Sequence, residues 1–189
     1  MTKELTKAEK KAWLDSVHIR KMRESDLPLI EWNGAYTRYR RVYREIFQNQ
    51  ERGITTVLIA ESREDGVIGQ IFLTQKDPNP IFSPEDPYLF ISSFRIKEAF
   101  RNRGLGTLLL KMAELYAERK KIPLLILNCA KTNQDGLSFY KRHGFESYRM
   151  DDGHWTYIDH QGVVPWGLVP LRGIGLVHCG PGTPPKEAV

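Results

Sequence analysis

Apolar positions along this chain change period several times, and the changes divide it into strands and helices. Val17-His18-Ile19-Arg20-Lys21-Met22 alternates at period two, as a strand with one buried face does. Ser25 or Asp26 then stands where a helix N-cap belongs, with Pro28 in the first turn. A second helix is predicted over 35–51, where Tyr36, Tyr39, Tyr43, Ile46 and Phe47 recur at helical spacing. That tyrosine face reads as core packing before a substrate wall, and Arg38, Arg40, Arg41 and Arg44 read as a solvated face. Two runs, 55–60 and 67–73, form an antiparallel hairpin around Glu64-Asp65-Gly66. Pro78, Pro80, Pro84 and Pro87 make the next stretch a surface loop, because proline donates no ladder hydrogen bond.

The chain returns as a strand over 88–96 and runs directly into a glycine turn. From Leu105 to about Lys121, Leu105, Leu108, Leu109, Met112, Leu115 and Tyr116 form one apolar stripe. The run 123–128 is continuously apolar, which suits a strand covered on both faces. Strand, turn, helix and strand make a βαβ unit with a right-handed crossover. A short helix over 133–143 closes at Gly144. The runs 145–150, 155–159 and 163–169 read as closing antiparallel strands. Residues 1–16 are a charged, helix-prone appendage docked by Trp13 and Leu14, residues 17–171 the domain, and residues 172–189 a Gly/Pro-rich tail expected to be poorly ordered.

Bulk properties narrow the function classes. A chain of 189 residues, 41% hydrophobic, supports one core, and 28 basic against 23 acidic residues is a milder excess than a dedicated nucleic-acid binder carries. Binding of nucleic acid through Arg38–Arg44 therefore ranks last, and an anionic small ligand fits at least as well. Two cysteines give no disulfide framework, and no run approaches the length of a membrane span or a signal peptide core. A soluble, cytoplasmic protein is expected. The five histidines, His18, His143, His154, His160 and His178, lack metal-ligand spacing, so no metal is expected.

The chemistry concentrates at Arg101-Asn102-Arg103-Gly104-Leu105-Gly106, between strand and helix. Glycines let the backbone curl so that successive N–H groups point inward, and the helix that follows adds its unpaired N–H groups and the positive end of its dipole. A diphosphate fits such a turn. A dinucleotide fingerprint would need a glycine where Leu109 stands, and a Walker A loop would need Gly-Lys-Ser/Thr; neither is present. A second cluster follows, Asn133 to Tyr140 with Gly144-Phe145.

At these two places the sequence resembles the GNAT superfamily of acetyl-CoA-dependent N-acetyltransferases. Arg101-x-x-Gly104-x-Gly106 is similar to that family's Arg/Gln-x-x-Gly-x-Gly/Ala pyrophosphate loop. Asn133-Gln-Asp-Gly-Leu-Ser-Phe139-Tyr140-Lys-Arg-His-Gly144-Phe145 is similar to its Asn-x-x-Ala-x-x-Phe/Leu-Tyr-x-x-x-Gly-Phe segment. Gly136 replaces the usual alanine, and Glu98 stands at the common proline position. The resemblance implies an α/β three-layer fold: a mixed, mostly antiparallel sheet of six to seven strands, a splayed parallel pair, and helices on both faces.

The same resemblance implies acetyl transfer from acetyl-CoA to a primary amine by direct attack. Backbone amides of Arg101, Asn102, Arg103, Gly104, Leu105, Gly106 and Thr107 would hold the diphosphate, Phe94 and Ile96 would offer backbone groups to the pantetheine arm, and Asn133 would contact that arm or the thioester region. Tyr140 would be the catalytic donor to the departing thiolate. The acceptor would be a small-molecule or peptide amine, with no nucleic acid or membrane partner and a homodimer left open. No residue is legible as the general base among Glu85, Asp86 and His154. A non-catalytic acyl-CoA sensor or partner-binding module on the same fold is the alternative.

Overall fold

Seven strands form one mixed sheet in the computed structural model, which describes residues 6–75, 87–151, 161 and 173–179. In chain order the elements are α1 (Lys7–Ser16), β1 (His18–Lys21), α2 (Arg40–Glu51), β2 (Thr55–Ser62), β3 (Gly66–Thr74) and β4 (Tyr88–Ile96). They continue with α3 (Leu105–Lys120), β5 (Leu124–Ala130), α4 (Gln134–Arg142), β6 (Glu146–Asp151) and β7 (Gly173–Cys179). The strand order is β1-β2-β3-β4-β5-β7-β6, and every neighbouring pair is antiparallel except β4 and β5. Among the described residues no helix is long and apolar enough to cross a membrane.

Alternation along the strands sends side chains to two separate cores. On one face Leu58, Ala60, Ile71, Leu73, Leu89 and Ile91 pack with Leu105, Leu109, Leu110 and Ala113 of α3. On the other, Val57, Ile59 and Phe72 pack with Tyr43 of α2. The tyrosine face of α2 is thus partly core: Tyr43 is 1% exposed, while Tyr36 and Tyr39 pack at its margin.

The helix expected after Ser25 does not form. Residues 24–26 and 29–31 make two short 3-10 turns instead. Asp26 does not cap forward amides: its carboxylate accepts from both terminal nitrogens of Arg20, at 2.6 and 2.8 Å, and from the Arg23 N–H. Trp32 (φ 46°), Asn33 (φ 56°) and Gly34 (φ 93°) then run left-handed in succession, which no right-handed helix survives. The second helix accordingly starts late, at Arg40, after a 3-10 turn over 37–39. Arg40 and Thr37 tie this segment back to the buried Glu31 carboxylate.

Arg20 bridges Asp26 and Glu61, and that cluster sets an acid limit on stability. Burial would raise the Asp26 carboxyl, but the bonds from Arg20 and Arg23 outweigh it, leaving Asp26 below its ordinary value. Glu61 is lowered too, chiefly by its bond to Arg20. A depressed carboxylate stabilises the fold fully above the unfolded-state pKa, about 4, and loses that contribution as pH falls through the lower folded value. Asp26→Asn is expected to cost about 2 kcal/mol at pH 7, because it leaves the nearly buried Arg20 guanidinium with Glu61 as its one carboxylate among the described residues. Urea melts at pH 7 and pH 3 check this, and the deficit should shrink at the lower pH.

The tail reading needs correction. Residues 173–179 form β7, inserted between β5 and β6 and paired with both. Glycine and proline counts over 172–189 concealed a local run, Ile174 to Val177, with enough apolar and β-branched character to pair. The runs 155–159 and 163–169, and most of the proline-rich loop, lie outside the described residues.

Candidate active site

Parallel pairing between β4 and β5 covers only Tyr88↔Leu124 through Ile91↔Leu127. Beyond Ile91 the two strands part: β4 continues to Ile96 against β3, and β5 continues to Ala130 against β7. An opening is left between them, bordered by a strand edge with no strand beside it among the described residues. A bulge sharpens it. Ser92 pairs with Phe72 and Arg95 with Gln70, so one extra residue intervenes, and Ser93 is left-handed at φ 45°. Because of that residue, Phe94 and Ile96 face the α3 side while Arg95 faces the α2 side. Period-two reading of the strand gives no sign of the bulge; two adjacent serines in an apolar run are its only trace.

The turn after β4 has the conformation that its glycines suggest. Asn102 (φ 60°) and Gly104 (φ 89°) are both left-handed, and α3 begins at Leu105. Among the described residues, no N–H from Asn102 through Thr107 donates to an intrachain acceptor. Six consecutive donors therefore stand open at the positive end of a 16-residue helix, an arrangement suited to an anion. Arg101 differs from the expectation, because its own N–H donates to the Glu98 carbonyl and its Nε to the Ile96 carbonyl. It braces the loop against the end of β4.

Four contacts fix this loop from outside. Gly106 packs so tightly that an added Cβ would lie 3.2 Å from the Phe139 ring and 3.4 Å from Ile96. A Cβ on Gly104 would lie 2.9 Å from Leu14 Cδ1, so the N-terminal helix sits directly on the turn. Trp13 of the same helix stacks on Phe100 with centroids 6.0 Å apart, and the Arg103 guanidinium lies over both rings. The Thr107 hydroxyl also meets His143 Nε2 at 3.0 Å. His143 Nδ1 faces the Phe139 carbonyl, which can only accept, so Nδ1 carries a proton there. Contacts of this kind join segments far apart in sequence and have no local signature.

Asn133 caps α4 through its Oδ1, which accepts from the Gly136 N–H at 3.0 Å. That explains the glycine where alanine is usual, since a Cβ at 136 would lie 2.5 Å from Asn133 Nδ2. Tyr140 stands on the α3 side of the opening, its ring 6.3 Å from Phe94, 5.4 Å from Phe139 and 5.5 Å from Phe145. Burial pushes its hydroxyl well above a phenol's ordinary pKa, with a smaller contribution from the nearby Cys129. Cys129 is itself 3% exposed and its thiol is raised by burial, which leaves it inert as a nucleophile. Glu85, Asp86 and His154 lie outside the described residues.

The sequence model of the acetyltransferase (GNAT) family matches residues 17–145, about two thirds of the chain. The protein belongs to the GNAT acetyltransferase family. Solved structures of this fold cover it nearly end to end. A ribosomal-protein-alanine N-acetyltransferase from Brucella melitensis superposes with a TM-score of 0.62 at 20% identity, over 86% of this chain and 99% of that one. Arabidopsis thaliana NAA60 in complex with a bisubstrate analogue gives 0.62 at 20%, over 88% and 99%. PaiA N-acetyltransferase from Thermoplasma acidophilum in complex with coenzyme A gives 0.57 at 20%, over 87% and 99%. No curated protein sequence matches the chain. The family match begins at residue 17, so α1 and its grip on the glycine turn lie outside it.

Proposed function

We propose that this protein is an N-acetyltransferase that moves an acetyl group from acetyl-CoA to a primary amine by direct attack in a ternary complex. The observation that carries the reading is the row of six open N–H groups, Asn102 to Thr107, beside the β4–β5 opening. Those donors would hold the coenzyme's diphosphate, with Arg103 adding charge. The edge of β4 at Phe94 and Ile96, which no described strand covers, would pair with the amides of the pantetheine arm as a further strand would, with the Ile96 carbonyl shared with Arg101 Nε. Acetyl-CoA supplies the activated acyl group and a thiolate leaving group.

The chain's own residues then have two tasks. A lysine-like amine is unprotonated in roughly one molecule in a few thousand at pH 7, so a proton must be accepted at the acceptor side. At the thiolate side Tyr140 would donate. Its raised pKa makes complete proton transfer to a thiolate of pKa about 8.5 costly, so hydrogen-bond stabilisation of the developing charge is the role its environment favours. A covalent acyl-cysteine is disfavoured by the buried, protonated Cys129. The acceptor would be a small-molecule or peptide amine, and the structural neighbours include a ribosomal-protein-alanine N-acetyltransferase.

Calorimetry with acetyl-CoA, followed by a free-thiol assay over a panel of amines, tests this. Saturable binding with thiol release in the presence of an amine supports it. Binding without release for any amine would leave an acyl-CoA sensor. The N-terminal helix should matter as well: Trp13→Ala is expected to weaken coenzyme A binding about fivefold, by removing a ring stack worth about 1 kcal/mol under Arg103.

A further inference from the structure

On the α2 side of β4, opposite Tyr140, a second group of polar side chains includes, among the described residues, buried atoms without partners. Arg95 lies on the stretch of β4 that has lost β5. Its guanidinium sits over the Tyr36 ring at 4.1 Å and the Tyr39 ring at 5.2 Å, and donates to the Tyr43 hydroxyl. Arg20 and Arg40 each have a carboxylate, whereas among the described residues none pairs with Arg95. A half-buried cation held by aromatic faces and lacking a counter-ion attracts an anion strongly.

A second observation is independent of the charge. Gln70 is the cross-strand partner of Arg95, on the same face of the sheet. It is 0% exposed, and among the described residues neither its Oε1 nor its Nε2 has a hydrogen-bond partner. The buried indole Nε1 of Trp32 also has no partner among the described residues, and its ring packs edge-on against Tyr36 at 5.4 Å. Buried polar groups are overwhelmingly paired in folded proteins, so these atoms, beside a sheet opening and an arginine with no carboxylate among the described residues, point to a polar ligand. Trp32 lies in the left-handed segment, which holds that strained backbone next to the same cluster.

We propose that this face binds the amine acceptor, and that the acceptor carries a carboxylate close to its amine, gripped by Arg95 and oriented by Gln70. The inference rests on the transferase reading, and it adds the chemical class of the acceptor. Tyr36 and Tyr39 present Arg95 with its planar fork fixed, the arrangement that suits a carboxylate better than a point charge would. An amine bound there approaches the opening from the face opposite Tyr140, so entering nucleophile and leaving thiolate occupy different sides of the sheet.

The test uses the full-length protein, acetyl-CoA, and acceptors paired so that only the anion differs. Free L-amino acids are compared with their primary amides, and peptides beginning with Asp or Glu with peptides beginning with Asn or Gln; the two arms separate a free amino acid from an acidic chain terminus. Thiol release should favour the acid of a pair at least tenfold in kcat/KM. Arg95→Gln should bring the pair within twofold while the acetyl-CoA dissociation constant stays unchanged, and Arg95→Lys should restore part of the preference. Equal or better turnover of the amides by the unaltered protein would overturn the proposal, as would a preference that survives in folded Arg95→Gln. Acetyl-CoA binding without turnover of any acid would also overturn it. Absence of acetyl-CoA binding would remove the transferase reading itself.

Discussion

Gly104→Val is expected to weaken coenzyme A binding about a hundredfold in a chain that still folds. Gly104 adopts φ 89°, a conformation closed to a β-branched residue, and its Cβ would meet Leu14 Cδ1 at 2.9 Å. The Leu14 side chain can swing aside, but the backbone strain cannot be relieved that way. The turn must therefore open, and the N–H groups on either side of Gly104 lose their common direction. Two charge-assisted hydrogen bonds lost at about 1.5 kcal/mol each amount to about a hundredfold in Kd. Because the turn lies at the surface, the melting temperature should fall by only a few degrees. Calorimetry with coenzyme A, beside a thermal melt, checks both expectations; unchanged affinity would remove the turn from the binding site.

Tyr140→Phe should lower kcat between about tenfold and a hundredfold, as befits one hydrogen bond to a developing anion, with little change in coenzyme affinity. The ring would remain packed against Phe94, Phe139 and Phe145, so the variant removes a hydroxyl and nothing else. The pH profile carries separate information. A hydroxyl raised above the ordinary phenol value stays protonated through the whole working range, so ionisation of Tyr140 should not bring the rate down below about pH 10. Steady-state kinetics with a productive amine from pH 6 to 10 measures this. A Phe variant with unaltered kcat, or an alkaline limb that vanishes in it, would contradict the assignment.

Local patterns carried most of the fold. β4 and α3 stand where the apolar runs and the glycine turn placed them, and the parallel pair follows from the βαβ order. Elements failed to be legible where a distant partner decided the outcome. Asp26 reads as a cap until Arg20, six residues earlier, and Glu61, across the sheet, are seen to share its charge network. β7 was hidden because glycine and proline counts average over a window longer than a strand. The bulge at Ser93 decides which side of the sheet Arg95 occupies, yet it alters no residue type. Trp13 and Leu14 were legible as docking residues, but not that they dock on the glycine turn.

The acceptor side was the least legible for a physical reason. Tyr36, Tyr39 and Tyr43 have the spacing of an ordinary core face, and Tyr43 is indeed core. Only the arginine inserted from β4 and the unpaired atoms of Gln70 distinguish that face from packing, and both depend on register across the sheet.

Central to the account is the grip of the turn at Gly104 on a coenzyme diphosphate. A titration of 15N-labelled protein with coenzyme A, followed through backbone amide shifts, tests it most directly. The account predicts saturable shifts that are largest at the amides of residues 102–107 and extend along β4 over residues 92–96. A folded sample whose amides at 102–107 stay fixed while the coenzyme is raised to millimolar concentration would contradict it.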